Sequence, residues 1–195
     1  MIELILQGSI VLGRSKSYIR EEALEKIMFL FWQEGFSAMS LNKIQDETGL
    51  NKKSLYNEFG SKEELYFLCL EYYLARQYEL FNEVLLKKPL GMNNIEEFFN
   101  DFHLEDDHRG CFAIKTIVDS GSVPKKALEL AMESQLNLEK NMTLNLIESL
   151  DEVEAQKKAF LLVTLYNGLM VQAQSNSNTD KIKNLRPLIE SILKL

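Results

Sequence analysis

The stretch Ser40–Lys62, SLNKIQDETGLNKKSLYNEFGSK, restricts this chain more than any other, because its cap and turn residues recur at spacings that leave room only for short helices. Ser40 is a natural N-cap for a first helix in which Leu41 and Ile44 share a face, and Gly49 can take the positive φ that ends it. Asn51 caps a second helix. Its Leu55 and Phe59, four apart, form an inward seam while Lys52, Lys53, Ser54 and Asn57 fall on the other side. Gly60 is followed by Ser61 and, three residues on, Glu64, a capping box that opens a third helix with Lys62 in its first turn. The core and caps alone would serve any small helical bundle. They do not explain why Lys52, Lys53, Tyr56, Asn57 and Lys62 share one outward surface, which suits a helix entering the major groove of DNA.

The rest of the composition agrees with an all-α chain. Three prolines, nine glycines and no alternating apolar–polar runs between turns leave little material for strands. With 195 residues, 46% of them hydrophobic, the chain can bury a sizeable core and accommodates a small domain joined to a larger one. A net charge of −7 looks wrong for a nucleic-acid binder until it is divided. From Gly13 to Lys62 eight basic residues face seven acidic ones, whereas 63–195 holds fourteen against twenty-one. Phosphate attraction must then come from placement rather than total charge. Cys69 and Cys111, with no secretory leader, read as buried small hydrophobes in a reducing cytoplasm, and no apolar run reaches the roughly eighteen residues of a membrane span.

Taken in order, Met1–Leu12 is apolar but lacks the charged leader and cleavage site of a signal peptide, and reads as an upstream start more readily than as an ordered arm. Gly13-Arg14-Ser15-Lys16 is either a basic arm for the minor groove or a solvated tail. Ser17–Gln33 is a firm amphipathic helix ended by Gly35, with Trp32 expected at the joint between the two parts. A fourth helix from Ser61 to about Leu86 is long enough to leave the small domain and act as a lever. Pro89 and Gly91 break the chain before a short helix near Asn94–Phe102. Helix six is expected from Cys111 to about Ser120, and the next begins with Pro124 in its first turn and runs to about Leu150. Glu152 to about Gln174 is apolar nearly all round between Ala159 and Ala173, so it must be covered on every side, and a two-fold dimer supplies the missing surface. In the terminal helix Pro187 either starts the element or kinks it. About nine helices result.

The residues Gly35-Phe36, Ser40-Leu41, Ile44, Thr48-Gly49-Leu50, Ser54-Leu55-Tyr56, Phe59 and Ser61-Lys62-Glu63-Glu64-Leu65 resemble, at fixed spacing, the DNA-binding domain of the TetR family of bacterial transcriptional regulators. The resemblance runs from Gly13 to about Tyr72. It implies a helix-turn-helix DNA-binding domain over 13–62 and a helical effector-binding and dimerisation domain over 63–195. It also implies a cytoplasmic homodimer paired through the C-terminal helices on double-stranded operator DNA, acting as a repressor. Carried over by position, Lys52, Lys53, Ser54 and Asn57 face bases or nearby phosphates beside the cap Asn51, and Asn42 and Lys43 stand at the groove edge. Tyr56, Ser40 and Lys62 grip phosphates. Lys52-Lys53 and Asn57-Glu58 depart from commoner members, so the operator sequence does not transfer.

A small apolar or aromatic effector is expected among Phe98, Phe102, Cys111, Phe112, Met132, Met142, Tyr166 and Met170, although each also suits plain core. Control by a protein partner is the alternative; it calls for a filled core and an exposed apolar groove. His103–Cys111 gathers both histidines, three acids and a cysteine, but at no ordinary zinc spacing, and reads as a solvated connector rather than a metal site. No base, nucleophile and orienter stand at a recognisable spacing around His103 or Cys111, so neither an enzyme nor a cofactor is expected.

Overall fold

A computed structural model describes residues 16–100, 110–174 and 186–194. Among them nine α-helices and no strands occur: α1 (Lys16–Glu34), α2 (Leu41–Thr48), α3 (Lys52–Phe59), α4 (Lys62–Leu85), α5 (Met92–Asn100), α6 (Phe112–Val118), α7 (Lys125–Leu146), α8 (Glu152–Gln174) and α9 (Arg186–Lys194). None of the described helices is long and apolar enough to cross a membrane. Phe102, the His103–Arg109 part of the connector and Met1–Ser15 lie outside the described residues.

The all-α reading holds, and the small differences have local causes. Pro124 is the N-cap of α7 rather than a residue of its first turn, with an extended ψ of 135°. Helix α7 stops at Leu146 instead of near Leu150, and Ser149 and Leu150 close a turn on the Leu146 carbonyl. Pro187 is the second residue of α9, where a missing donor costs nothing.

Helices α1 to α3 form a bundle closed by the first turns of α4, with Ile27, Phe31, Ile44 and Leu55 at its centre. Helix α4 then continues into the larger part, where it packs on α5, α6 and α7, and α7 packs along α8. One continuous core runs from Leu24 to Ile189. Aromatic rings carry it across the joint: Phe31 and Phe36 meet the edge of Tyr66 at 5.0 and 5.2 Å, Tyr66 meets Phe112 at 5.3 Å, and Trp32 lies against Tyr73 and Phe112. The Tyr66 and Thr116 hydroxyls share a buried 2.9 Å hydrogen bond, and the Thr116 hydroxyl lies 2.9 Å from the Phe112 carbonyl oxygen.

A polar row holds the far half of α4 to α7. Asn137, Asn141 and Asn145 recur every four residues, so they line one face of α7. Asn137 Nδ2 donates to the Tyr78 hydroxyl at 3.0 Å, Asn141 Nδ2 to Asn82 Oδ1 at 2.9 Å, and Asn145 Nδ2 to the Leu85 carbonyl at 2.7 Å. Asn145 Oδ1 also accepts from the Gly91 N–H and Asn94 Nδ2, each at 3.0 Å, which ties the loop after α4 into the same network. The amides are satisfied, so the seam fixes one register of α4 against α7 without leaving buried polar groups open.

Candidate functional site

The turn between α2 and α3 is set almost entirely by neighbours in sequence. The Lys43 N–H donates to Ser40 Oγ at 3.2 Å, and the Ser54 N–H to Asn51 Oδ1 at 2.9 Å. Gly49 sits at φ 73°, in the left-handed region that ends a helix without a Cβ penalty. Gln45 Oε1 accepts from the Lys52 N–H at 3.3 Å and so latches the end of one helix to the start of the next. These bonds pin α3 at its N-terminus, while Leu55 and Phe59, 1% and 4% exposed, pin its inner face.

What remains outside is a polar surface. Lys52, Lys53, Ser54, Tyr56 and Asn57 are all exposed on α3, and Asn42 is exposed on α2. Tyr56 leaves 54% of its area in solvent, a large aromatic side chain held away from the core. Ser40 and Asn51 are exposed too, with their side-chain oxygens engaged as caps. The acid on this helix, Glu58, is met by Arg20 at 3.5 Å, and the same guanidinium lies over the Phe59 ring. Lys43 is drawn to Glu34 at 2.8 Å. Lys62 is half-buried with its ammonium 4.1 Å from the centre of the Phe36 ring, and partial burial lowers its pKa from the ordinary lysine value. Among the predicted contacts, then, five cluster on α3, and Lys43 and Lys62 begin from protein partners they must share or leave.

The larger part contains a cavity between α4 and α7, closed by Cys111, Ala113 of α6 and Tyr166 of α8. From α4 come Tyr73, Leu74, Gln77, Tyr78 and Phe81; from α7, Ser134, Gln135 and Leu138. It holds about 320 Å³ of space counting its open mouth, of which about 20 Å³ is open to the centre of a water-sized body. The Tyr73 hydroxyl donates to Cys111 Sγ at 3.4 Å. Burial pushes the Tyr73, Cys111 and Tyr166 groups above their usual pKa values, so all three stay protonated and neutral.

Of the eight residues expected around an effector, Cys111 and Tyr166 line this cavity, and Phe98 stands behind it with its ring 5.7 Å from Tyr166. Phe112, Met142 and Met170 are buried in the surrounding core. Met132 is 53% exposed on the outer face of α7 and takes no part in the lining. The α4 residues were not anticipated from sequence. Their signal is the row Tyr73, Gln77, Phe81, in which a polar glutamine interrupts an aromatic face at four-residue spacing. No group of metal-binding side chains occurs among the described residues.

Residues 23–69 match the family described as bacterial regulatory proteins, tetR family. The chain is 34% identical over 120 residues to the HTH-type transcriptional repressor ComR of Escherichia coli, covering 57% of this chain and 57% of that protein. It is 27% identical over 122 residues to the HTH-type transcriptional repressor BdcR of the same organism, covering 62% of each. It thus spans less than two thirds of the length of these curated relatives. The fold is shared more widely. A TetR transcriptional regulator from Chloroflexus aurantiacus superposes with a TM-score of 0.78 at 18% identity, over 91% of this chain and 95% of that one. A cysteine mutant of the TetR family transcriptional regulator CifR, complexed with double-strand operator DNA, superposes with a TM-score of 0.73 at 20% identity, over 93% of this chain and 98% of that one. The capped helix pair and its outward polar face lie within the segment 23–69 that matches the tetR family of bacterial regulatory proteins, and the arrangement of the described helices is the fold of TetR regulators.

Proposed function

We propose that the chain is a sequence-specific DNA-binding transcriptional regulator, a repressor that a small molecule releases from a palindromic operator. The observation that carries this is the α3 surface, where Lys52, Lys53, Ser54, Tyr56 and Asn57 stand exposed on a helix pinned by caps and by Leu55 and Phe59. Two relatives named as repressors and a structural neighbour bound to operator DNA support the same reading. In this assignment residues 13–62 read DNA and 63–195 answer the effector. Lys52, Lys53, Ser54 and Asn57 meet bases and nearby phosphates, with Asn42 and Lys43 at the groove edge, while Tyr56, Ser40 and Lys62 hold the backbone. The work is that of a cytoplasmic regulator rather than an enzyme.

One recognition helix reads only a few base pairs, so the reader needs a second copy. The surface of α8 supports one. Phe160, Leu161 and Val171 are 63%, 47% and 45% exposed, and a Cβ added to Gly168 on the same helix would meet nothing. A partner helix crossing there can approach closely and cover the apolar side chains, which suits pairing through α8 and α9.

The effector site is the cavity between α4 and α7. Its enclosed space is small, so a ligand enters by parting the two helices, and α4 carries that displacement to the reader. A ligand that prefers the parted state shifts the population, on a usual scale of about 1–3 kcal/mol. The cavity favours this over control by a protein partner.

Selection of bound fragments from the host genome, followed by titration on the recovered site, tests the assignment. Lys62→Ala is expected to weaken binding to every sequence and to flatten the salt slope by about one. Tyr56→Ala weakens all sequences alike, and Asn57→Ala relaxes preference at particular bases. Native-like operator binding by both Tyr56→Ala and Lys62→Ala would sink the reading.

A further inference from the structure

Resting on the reading of the cavity as an effector site, we propose that it selects an uncharged, single-ring ligand that donates a hydrogen bond to Gln135 Oε1. Gln135 lines the cavity, and its Oε1 is buried with no hydrogen-bond partner among the described residues. Its amide orientation follows from its neighbour. The Ser134 hydroxyl gives its proton to the Ala131 carbonyl at 2.6 Å, so towards Gln135 its oxygen only accepts, and Gln135 Nε2 lies 3.4 Å from it. The amide nitrogen is therefore the engaged end and the carbonyl oxygen the open one. A buried acceptor left open is costly, and a ligand donor in reach of it recovers that cost.

The charge and size of the ligand follow from the same walls. The described lining contains no formally charged side chain: it is Tyr73, Tyr78 and Tyr166, Phe81, Cys111, two glutamines, a serine and aliphatic groups. Burial keeps the Tyr73, Cys111 and Tyr166 groups neutral, so none can answer a charge on the ligand. A carboxylate or an ammonium brought there loses its hydration with no counter-charge in the described lining to replace it. Aromatic faces from Phe81 and Tyr166, whose rings meet edge-on at 6.0 Å, suit a flat body. Only about 20 Å³ is open to the centre of a water-sized body, so a single ring requires less separation of α4 from α7 than any larger ligand does.

The test uses the full chain free of DNA and four probes of similar size: p-cresol, toluene, benzoate and benzylammonium, titrated by calorimetry or ligand-observed NMR. The expected result is p-cresol binding about ten-fold tighter than toluene, the ratio for one hydrogen bond to a buried acceptor, with both ionic probes weaker still. Gln135→Leu is expected to bring p-cresol to within about two- to three-fold of toluene. Gln135→Met repeats the test in a different shape, and far-UV circular dichroism confirms that each variant is folded. Benzoate or benzylammonium binding as tightly as p-cresol overturns the proposal, as does equal binding of toluene, binding by none of the four, or a p-cresol preference that survives both substitutions. Failure here with operator binding intact removes the ligand class alone. Intact discrimination in a chain that binds no operator removes the regulator reading alone.

Discussion

The proposed reader, α1 to α3 with the start of α4, and the larger helical part solve the same problem, placing polar groups, in opposite ways. In α2, α3 and the start of α4 the fixing bonds are short-range: Ser40 to Lys43, Asn51 to Ser54 and Ser61 to Glu64 each span three residues. In the larger part the bonds that matter join residues far apart in sequence, as Asn137 to Tyr78 and Asn141 to Asn82 do across α7 and α4. The reader keeps its polar side chains in solvent and its backbone conformation in its own sequence. The larger part buries polar side chains and depends on the whole assembly to satisfy them. A unit of the first kind can move as a body; one of the second kind changes state only when its partners separate.

The ring of Phe112 is where the two regimes meet, and its removal should have the largest effect. Its side chain is fully buried against Trp32, Tyr66 and Tyr73. Phe112→Ala is expected to destabilise the fold by about 3–5 kcal/mol in denaturant unfolding. If the reader and the larger part were energetically separate, the variant would unfold in two transitions, with the reader persisting to the native midpoint. A single lowered transition shows that the shared aromatic core makes them one cooperative unit.

Asn145→Ala attacks the long-range regime directly. The side chain is fully buried and serves the Leu85 carbonyl, the Gly91 N–H and Asn94 at once. Its loss strands the Leu85 carbonyl and the Gly91 N–H, while Asn94 keeps its bond to the Lys87 carbonyl, and a cost of about 2–4 kcal/mol is expected in urea melts. A cost no greater than that of deleting one reader cap would erase the contrast between the regions.

This contrast also explains what could be read from sequence. The boundaries of α2, α3 and the start of α4 were legible because Ser40, Gly49, Asn51, Gly60 and Ser61 act on residues a few positions away. Helix α8 was legible from its continuous apolar run, and Phe160 and Leu161 on it stay exposed. The cavity was not, because which α4 residues face it depends on how α7 lies across α4, and Gln135 looks like any surface glutamine until that register is known. Met132 failed for the same reason in reverse: apolar spacing on α7 does not say which face turns outward.

A pH measurement probes the joint between the regions. Tyr66 is buried, and this pushes its pKa up to about 12, partly offset by its bond to Thr116. The unfolded chain ionises this tyrosine near pH 10 while the folded chain holds its proton. Its contribution is therefore fully present below pH 10 and is lost as pH rises towards 12, with a slope of about 1.4 kcal/mol per pH unit. Tyr66→Phe should reduce the alkaline slope by that amount and cost about 1 kcal/mol at neutral pH for the lost hydrogen bond. Urea melts across pH 8–12 would show an unchanged slope if Tyr66 were not held in the joint.

The smallest effect is expected where the reader hands over to α4. Ser61 Oγ accepts from the Glu64 N–H at 3.2 Å, and Glu64 Oε2 accepts from the Ser61 N–H at 2.7 Å. Gly60 sits at φ 77°, in the left-handed region that favours glycine, and a Cβ there would displace the returning Glu64 carboxylate. The backbone and side-chain hydrogen bonds to Ser61 hold the Glu64 pKa below its ordinary value, so this support is present above the unfolded carboxylate pKa and is lost as pH falls through the folded one. Ser61→Ala removes one of the two bonds and should cost about 1 kcal/mol in thermal or urea unfolding, the usual worth of an N-cap. Because the cap is local, its cost should add to that of Asn145→Ala in the double variant, within about 0.5 kcal/mol. A larger departure from additivity would mean that the cap and the asparagine seam share strain along α4, and that the reader is less self-contained than its short-range bonds suggest.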